Sequence, residues 1–181
     1  MNVQLTDVSA GIKNLFRPMT GAPDWEAVYA GQLPRVYNFF RYRVQDGATA
    51  EDLTAATFER AWRGRHTYRA DVAGFSTWLF SIARNVAADH FRVAAQHDET
   101  PLDENLAADE AASPAQAICQ MEDFARLSRL LAALPARERE LLALKYGAQL
   151  TNRAIASITS LSESNVGTII NRTVNKLRKE W

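Results

Sequence analysis

Residues 151–181 read TNRAIASITSLSESNVGTIINRTVNKLRKEW, and this stretch decides the fold. Asn152–Ile158 has the pattern of a short helix, and Thr159–Leu161 follows it as a turn. Ser162 is a good N-cap, because its hydroxyl can accept a hydrogen bond from an unpaired amide of the next helix. From Val166 onward, apolar residues recur at helical spacing and form one stripe that would face a core. The pattern predicts a helix-turn-helix.

The opposite face of its second helix carries small hydrogen-bonding groups and a few cations: Ser164, Thr168, Asn171, Arg172, Asn175 and Lys179. A helix that enters the major groove needs such a face. DNA binding is therefore the leading hypothesis, and the solvated face of an ordinary three-helix bundle is the alternative. Ser160 departs from the pattern, because glycine is common there and a positive φ would cost roughly 1 kcal/mol. Gly167 lies inside the second helix, at a cost of about the same size relative to alanine.

The rest of the chain also predicts helices, at about residues 24–44, 49–63, 75–94, 117–133 and 136–146. Asp24 is expected to cap the first of these helices, and Pro34 to kink or break it. Pro135 is expected to open the last helix and Gly147 to close it. No strand and no internal repeat are predicted. The predicted fold class is all-α, with two small helical domains joined by an acidic flexible linker and a helix-turn-helix in the C-terminal domain.

Charge is distributed unevenly along the chain. Basic and acidic side chains number 11 and 9 in residues 1–92, none and 6 in residues 93–120, and 10 and 6 in residues 121–181. The whole-chain net charge of zero therefore hides net charges of +2, −6 and +4. The acidic stretch has few large apolar residues, which is typical of a solvated linker. The predicted segments are an N-terminal arm at 1–23, a helical domain at 24–95, the acidic linker at 96–116 and the helix-turn-helix domain at 117–181.

Composition excludes several classes of protein. The 181 residues include one cysteine, Cys119, and three scattered histidines, so we expect no internal disulfide and no metal site. No apolar run approaches about 18 residues, and Met1–Arg17 has no signal-peptide pattern. A cytoplasmic protein without membrane insertion is therefore expected. Nucleophile–base pairs, paired carboxylates and phosphate-binding glycine loops are not recognisable, so neither enzyme activity nor a cofactor is predicted.

Residues 62–92 interleave aromatic and arginine side chains: Trp62, Tyr68, Phe75, Trp78, Phe80 and Phe91 among Arg63, Arg65, Arg69, Arg84 and Arg92. Aromatic rings can stack on unpaired bases while arginines neutralise phosphates, as a surface for single-stranded DNA requires. The alternative is a core of aromatic residues with a solvated basic rim. For any single ring, packing in a core is the better interpretation.

Three motifs in register resemble the extracytoplasmic-function sigma factors of bacterial RNA polymerase. Residues 50–62, AEDLTAATFERAW, resemble the first signature of that family. Residues 75–85, FSTWLFSIARN, continuing to Asp89 and Arg92, are similar to its promoter-melting helix. Residues 134–140, LPARERE, together with the helix-turn-helix, resemble its C-terminal domain. The resemblance covers about 150 residues, an extent that a lone helix-turn-helix would not reach.

The resemblance implies that the first domain binds core RNA polymerase and captures the unpaired non-template strand of the minus-ten element. It implies that the second domain reads the minus-thirty-five element as duplex DNA, and an anti-sigma protein is a further expected partner. The acidic linker would either enter a polymerase channel or serve as a tether. The expected minus-thirty-five contacts are Arg153, Ser164, Thr168, Asn171 and Arg172. The expected minus-ten contacts are Arg69, Phe75, Trp78, Arg84 and Asn85, and the expected polymerase contacts are Asp52 and Glu59.

The sequence departs from the family at two places. Ala55 and Ala56 stand where relatives commonly have glutamine and an acidic residue, so part of the expected polymerase contact is altered. Gly167 and Ile169 replace basic residues common in the recognition helix. Two other functions stay open: a stand-alone helix-turn-helix regulator of duplex DNA, and a helical protein-interaction module. Binding to core polymerase would distinguish all three.

Overall fold

The computed structural model describes residues 25–44, 46–96 and 114–181, with side chains of the last range described from Asp123 onward. The regular elements in these ranges are all helical, which confirms the predicted all-α class. A first unit contains α1 (Trp25–Arg41), α2 (Gly47–Arg63), a 3₁₀ turn (Arg65–Thr67) and α3 (Phe75–Gln96). A second unit contains α4 (Pro114–Ala132), α5 (Ala136–Leu142), a π-helical turn (Ala143–Gly147), α6 (Asn152–Thr159) and α7 (Glu163–Glu180). The predicted arm at 1–23 and nearly all of the predicted linker lie outside the described residues.

Helix α1 continues through Pro34, so the helix is not broken there. A proline inside a helix removes one backbone hydrogen bond and crowds the preceding turn. Here Pro34 is exposed, while Val36, Phe39 and Phe40 on the following turns are fully buried. We attribute the continuity of α1 to this packing, which outweighs the local effect of the proline.

Asp46 is the N-cap of α2, which begins at Gly47, two residues before the predicted start of this helix. One Asp46 carboxylate oxygen accepts from Thr49 N at 2.7 Å and from Thr49 Oγ1 at 2.6 Å. The other oxygen accepts from Ala48 N at 3.3 Å. These bonds, the Thr49 hydroxyl first, lower the pKa of Asp46. The Asp46 carboxylate therefore accepts hydrogen bonds from backbone N–H groups that have no partner within the first turn of the helix.

Both helices of the helix-turn-helix have N-caps, of which the sequence predicts Ser162. Thr151 caps α6 by accepting from Ala154 N at 3.2 Å, and Ser162 caps α7 by accepting from Asn165 N at 3.2 Å. Ser160 ends α6 with a φ of 57°, in the left-handed region that glycine would occupy without strain. Val166 is fully buried and Ile170 nearly so, while Ile169 is half-buried against the same cluster. The predicted core face of the recognition helix α7 is confirmed.

The helix predicted over 136–146 is not regular. Its α-helical part ends at Leu142, and a π-helical turn follows in which Ala148 N donates to Ala143 O at 2.8 Å. Gly147 lies inside this turn and is not the cap that the sequence suggested. A Cβ atom at Gly147 would lie 2.8 Å from Asn38 O and 2.9 Å from the Phe39 Cα atom. The glycine is required by the close approach of α1, which no local sequence signal reveals.

Buried apolar side chains of both units belong to one continuous cluster. In the first unit the Phe39 ring packs edge-on against Phe40 at 5.1 Å and Phe80 at 5.9 Å. In the second unit the cluster continues through Leu141, Leu144 and Ile155. None of the helices in the described ranges has the length and apolar character that a bilayer crossing requires.

Candidate nucleic-acid interface

The polar face of α7 is open to solvent. Ser164, Thr168, Asn171 and Arg172 are all exposed. Thr168 Oγ1 donates to Ser164 O at 2.9 Å, and Asn175 Nδ2 donates to Asn171 Oδ1 at 2.8 Å. The first bond is from a side chain to the backbone and the second joins two side chains. Ser164, Thr168, Asn171 and Arg172 line one side of α7 and form one contiguous surface, which we call the recognition face.

Two arginines lie beside the recognition face in ion pairs with glutamates. Arg153 Nε lies 3.5 Å from Glu163 Oε2, and Arg172 Nη2 lies 3.1 Å from Glu138 Oε1. Both guanidinium groups are largely exposed, and the Arg153–Glu163 pair, which is exposed at both partners, contributes at most about 1 kcal/mol. A phosphate can therefore compete for either arginine, because guanidinium binds phosphate well.

Phe75 and Trp78, both predicted to contact the minus-ten strand, belong to an aromatic cluster at the start of α3. We define this cluster as Trp25, Trp62, Tyr68, Phe75 and Trp78. The Tyr68 ring lies 5.3 Å from Phe75 and 5.4 Å from Trp78, and Trp25 lies 5.8 Å from Phe75. Phe75 and Trp78 are each half-buried, so each ring has a packing role as well as an accessible part.

The remaining predicted minus-ten residues are not all beside this cluster. Arg69 is exposed in the loop before α3 and pairs with Asp71 at 2.7 Å. Arg84 and Asn85 lie nine and ten residues after Phe75, which is about 14 Å along α3 at 1.5 Å per residue. Asn85 is exposed, but Arg84 Nε donates to Glu140 Oε1 at 2.9 Å. The structure thus brings Phe75 and Trp78 together, has Arg69 directly after Tyr68 of the same cluster, and places Arg84 against the second unit.

The predicted polymerase contacts lie on α2. Asp52 and Glu59 are both exposed, and their spacing of seven residues puts them on the same side of the helix. Glu59 Oε1 accepts from Arg63 Nη2 at 2.6 Å within the same helix. Ala55, one of the departures from the family pattern, is exposed between them, and Ala56 is half-buried. This side of α2 therefore offers two carboxylates separated by a small apolar residue.

Family models match both units. The model of sigma-70 region 2 matches residues 28–96, and that of sigma-70 region 4 matches residues 124–177. The ECF RNA polymerase sigma factor BldN of Streptomyces coelicolor is 33% identical over 145 residues, which are 80% of this chain and 55% of that protein. The chain belongs to the extracytoplasmic-function sigma factors.

Other relatives of this sigma-factor chain are similar over comparable lengths. The ECF sigma factor RpoE of Cereibacter sphaeroides is 29% identical over 148 residues, covering 81% of this chain and 80% of that protein. The probable sigma factor RfaY of Xanthomonas campestris pv. campestris is 32% identical over 143 residues, covering 75% of this chain and 35% of that protein. The chain thus spans 55% of the length of BldN and 35% of that of RfaY.

Solved structures share the fold of this sigma-factor chain. The sigma factor RpoE in complex with the anti-sigma factor NepR, from Bartonella quintana, has a TM-score of 0.70 at 19% identity, covering 86% of this chain and 95% of that one. CnrH in complex with the cytosolic domain of CnrY has a TM-score of 0.57 at 22% identity, covering 84% of this chain and 82% of that one. At these identities the similarity concerns the fold alone.

Proposed function

We propose that the chain binds core RNA polymerase, directs it to specific promoters and helps to open the minus-ten element. The observation that carries this proposal is that two sigma-70 regions follow one another on one chain, each with its own accessible polar or aromatic surface. A stand-alone regulator of duplex DNA would account for the second unit only. It leaves the accessible aromatic cluster of the first unit without a role.

Duplex reading is proposed for the recognition face of α7. Ser164, Thr168 and Asn171 present small hydrogen-bonding groups that fit base edges in the major groove. Arg153 and Arg172 lie beside them and would neutralise phosphates, which orient the helix without reading sequence. In helix-turn-helix proteins the N-terminal residues of the second helix contact base edges, and Ser164 and Thr168 lie in the first two turns of α7. We assign these five residues to the minus-thirty-five element.

Capture of the unpaired minus-ten strand is proposed for the aromatic cluster and α3. Unstacked bases gain about 1–3 kcal/mol each by stacking on aromatic rings. The accessible parts of the Phe75 and Trp78 rings would supply such a surface, and Arg69 in the adjoining loop would supply charge. We also assign Asn85, which is exposed further along α3, and Arg84, which would have to leave Glu140 before it could reach a phosphate.

The proposed role is non-catalytic, because the polymerase supplies the chemistry of RNA synthesis, and it needs no cofactor. The segment bounds proposed for the chain are those given above, at 1–23, 24–95, 96–116 and 117–181.

We propose a cytoplasmic location, where core polymerase and promoter DNA are found. Since the solved RpoE chain is in complex with the anti-sigma factor NepR, we also propose an anti-sigma protein as a partner of this chain.

Core polymerase binding tests the proposal and the role of α2 together. The purified chain is expected to bind core polymerase in a surface-immobilised assay. The double variant Asp52→Lys and Glu59→Lys is expected to bind about tenfold or more weakly, because reversed charges would oppose the complementary surface of the partner. Asp123→Lys is the control for charge reversal, since Asp123 is also an exposed carboxylate but lies on α4 in the second unit.

Failure of the parent chain to bind core polymerase would contradict the proposed function. Equal binding by the parent and the double variant would leave the function intact and would show that Asp52 and Glu59 are not the contact.

The free parent is also expected to bind promoter duplex only weakly, because neither unit has a large net charge.

A further inference from the structure

Gly167 leaves a gap in the groove that runs along α7. This groove is lined by the recognition face together with Gly167, Asn175, Lys176 and Lys179. Glycine inside a helix is unfavourable relative to alanine, because it loses more backbone freedom on folding. The φ of Gly167 lies outside the left-handed region, and the nearest neighbour of an added Cβ atom would be 3.4 Å away, within ordinary van der Waals contact. The fold of α7 therefore does not itself require a glycine at this position.

The gap opens onto the side-chain amide of Asn152, the first residue of α6. A Cβ atom at Gly167 would lie 3.4 Å from Asn152 Nδ2, so a longer side chain at 167 would cover this amide. Asn152 is half-buried, and its Nδ2 group keeps contact with solvent and donates no hydrogen bond to another described residue. An unused pair of N–H donors therefore lies beside the groove at Gly167.

Lys145 sets the orientation of the Asn152 amide. Lys145 lies in the π-helical turn, and its Nζ donates to Asn152 Oδ1 at 2.9 Å. Because an ammonium group can only donate, the amide atom that faces Lys145 must be the carbonyl oxygen. The NH2 group of Asn152 is then the part of the amide that lies at Gly167. The position beside the gap offers donors, while the acceptor of the amide is held by Lys145.

We propose that Asn152 is a specificity-determining residue for the minus-thirty-five element and that Gly167 is the gap through which its NH2 group reaches a base edge. This inference rests on the function proposed above. The gap faces the groove lined by Ser164 and Thr168, which are assigned to base edges, whereas phosphates are assigned to Arg153 and Arg172.

The base that Asn152 selects follows from the atom that it can offer. An asparagine that reads adenine in the major groove uses its carbonyl oxygen and its NH2 group together. With the oxygen held by Lys145, Asn152 can only donate at the gap. Guanine and thymine present acceptors in the major groove, and cytosine presents a donor. Asn152 therefore favours guanine or thymine over cytosine at one position of the element.

Binding of the holoenzyme to a promoter library tests the proposal. The chain joined to core polymerase is mixed with promoter duplexes randomised across the minus-thirty-five element, and bound sequences are counted against unbound ones. At one position the parent is expected to favour guanine or thymine over cytosine by roughly threefold to tenfold, as one hydrogen bond can support. Asn152→Ala is expected to reduce this ratio to below about twofold and to leave the ratios at other positions unchanged.

Three further variants act on the same group in different ways. Gly167→Leu covers the Asn152 amide and is expected to remove the same preference, with no further change of the ratio when it is combined with Asn152→Ala. Asn152→Asp replaces the donor by an acceptor of the same shape, so the preference should shift toward cytosine. Lys145→Met releases the carbonyl oxygen, so the amide can turn over and cytosine should be accepted as well as guanine or thymine.

Matched controls separate base reading from helix stability. Gly167→Ala adds a methyl group that only touches the amide, so it should keep the preference while raising the melting temperature by a few degrees. Ser157→Ala removes a polar group that is exposed on α6 about 140° around the helix from Asn152, and it should keep the preference as well. All variants should retain the helical circular dichroism of the parent and its binding to core polymerase.

An unchanged preference in folded Asn152→Ala or Gly167→Leu would overturn the proposal. Equal weakening of every sequence by Asn152→Ala would also overturn it, because that result would assign the residue to a phosphate. A parent holoenzyme that binds promoters without any preference between guanine or thymine and cytosine in the minus-thirty-five element would overturn it too. Failure of the parent chain to bind core polymerase would instead refute the proposed function.

Discussion

Replacement of Val166 by aspartate is expected to unfold the second unit. Val166 is 0% exposed in the core of the helix-turn-helix, and α7 is held there by Val166 and Ile170. The substitution removes buried apolar surface and places an unpaired carboxylate in an apolar site, so the free energy of unfolding should fall by several kcal/mol, about 3–5. Chemical denaturation followed by circular dichroism measures the change.

Thr168→Ala is the control on the same helix. Thr168 is exposed, and its hydroxyl donates only to the carbonyl one turn earlier, so its loss should change the free energy of unfolding by less than about 0.5 kcal/mol. Equal stabilities of the Val166 and Thr168 variants would show that the apolar stripe of α7 does not face the core.

The second large effect is expected on promoter affinity when Asn171 and Arg172 are each replaced by alanine. Loss of the Asn171 base contact should cost about 1–3 kcal/mol and relax sequence preference at one position of the minus-thirty-five element. Loss of Arg172 should weaken binding to all sequences alike and reduce the salt dependence by about one unit of slope. Affinity of the polymerase-bound chain for promoter variants across a salt series separates the two roles.

Both variants should fold as the parent does, because both side chains are exposed. Arg172→Ala also removes the ion-pair partner of Glu138, a largely shielded carboxylate whose Oε1 lies 3.1 Å from Arg172 Nη2. Thermal melting of each variant is therefore the control. If both variants melt normally and bind every minus-thirty-five sequence with the affinity and salt slope of the parent, the recognition face is solvated and does not contact DNA.

The parts of the fold that the sequence predicts are those with local causes. Ser162 caps α7 and the stripe from Val166 faces the core, because hydroxyl acceptors and helical periodicity act within a few residues. The left-handed Ser160 also follows from its place in the turn. The assigned DNA and polymerase contacts of Asn171, Asn85 or Asp52 remain predictions, because their exposure is compatible with DNA or polymerase binding and with solvation alike.

The parts that the sequence does not predict depend on contacts between distant segments. Gly147 reads as a helix cap, yet its lack of a side chain is required by α1, more than a hundred residues earlier. Arg84 reads as a DNA contact beside an aromatic run, but its guanidinium meets Glu140, 56 residues away. Nothing in the local pattern around either residue encodes its partner. These contacts between the two units could be found only from the folded chain.

The central claim is that the chain directs core polymerase to specific promoters. Run-off transcription tests it most directly, with core polymerase, the purified chain and a template whose promoter carries the minus-ten and minus-thirty-five elements that the chain prefers. Core polymerase alone should not initiate at the promoter, and addition of the chain should produce a transcript of defined length that disappears when either element is scrambled. Tight, sequence-specific binding of the free chain to duplex promoter, unaffected by core and without any transcript, would contradict the account and favour a stand-alone regulator.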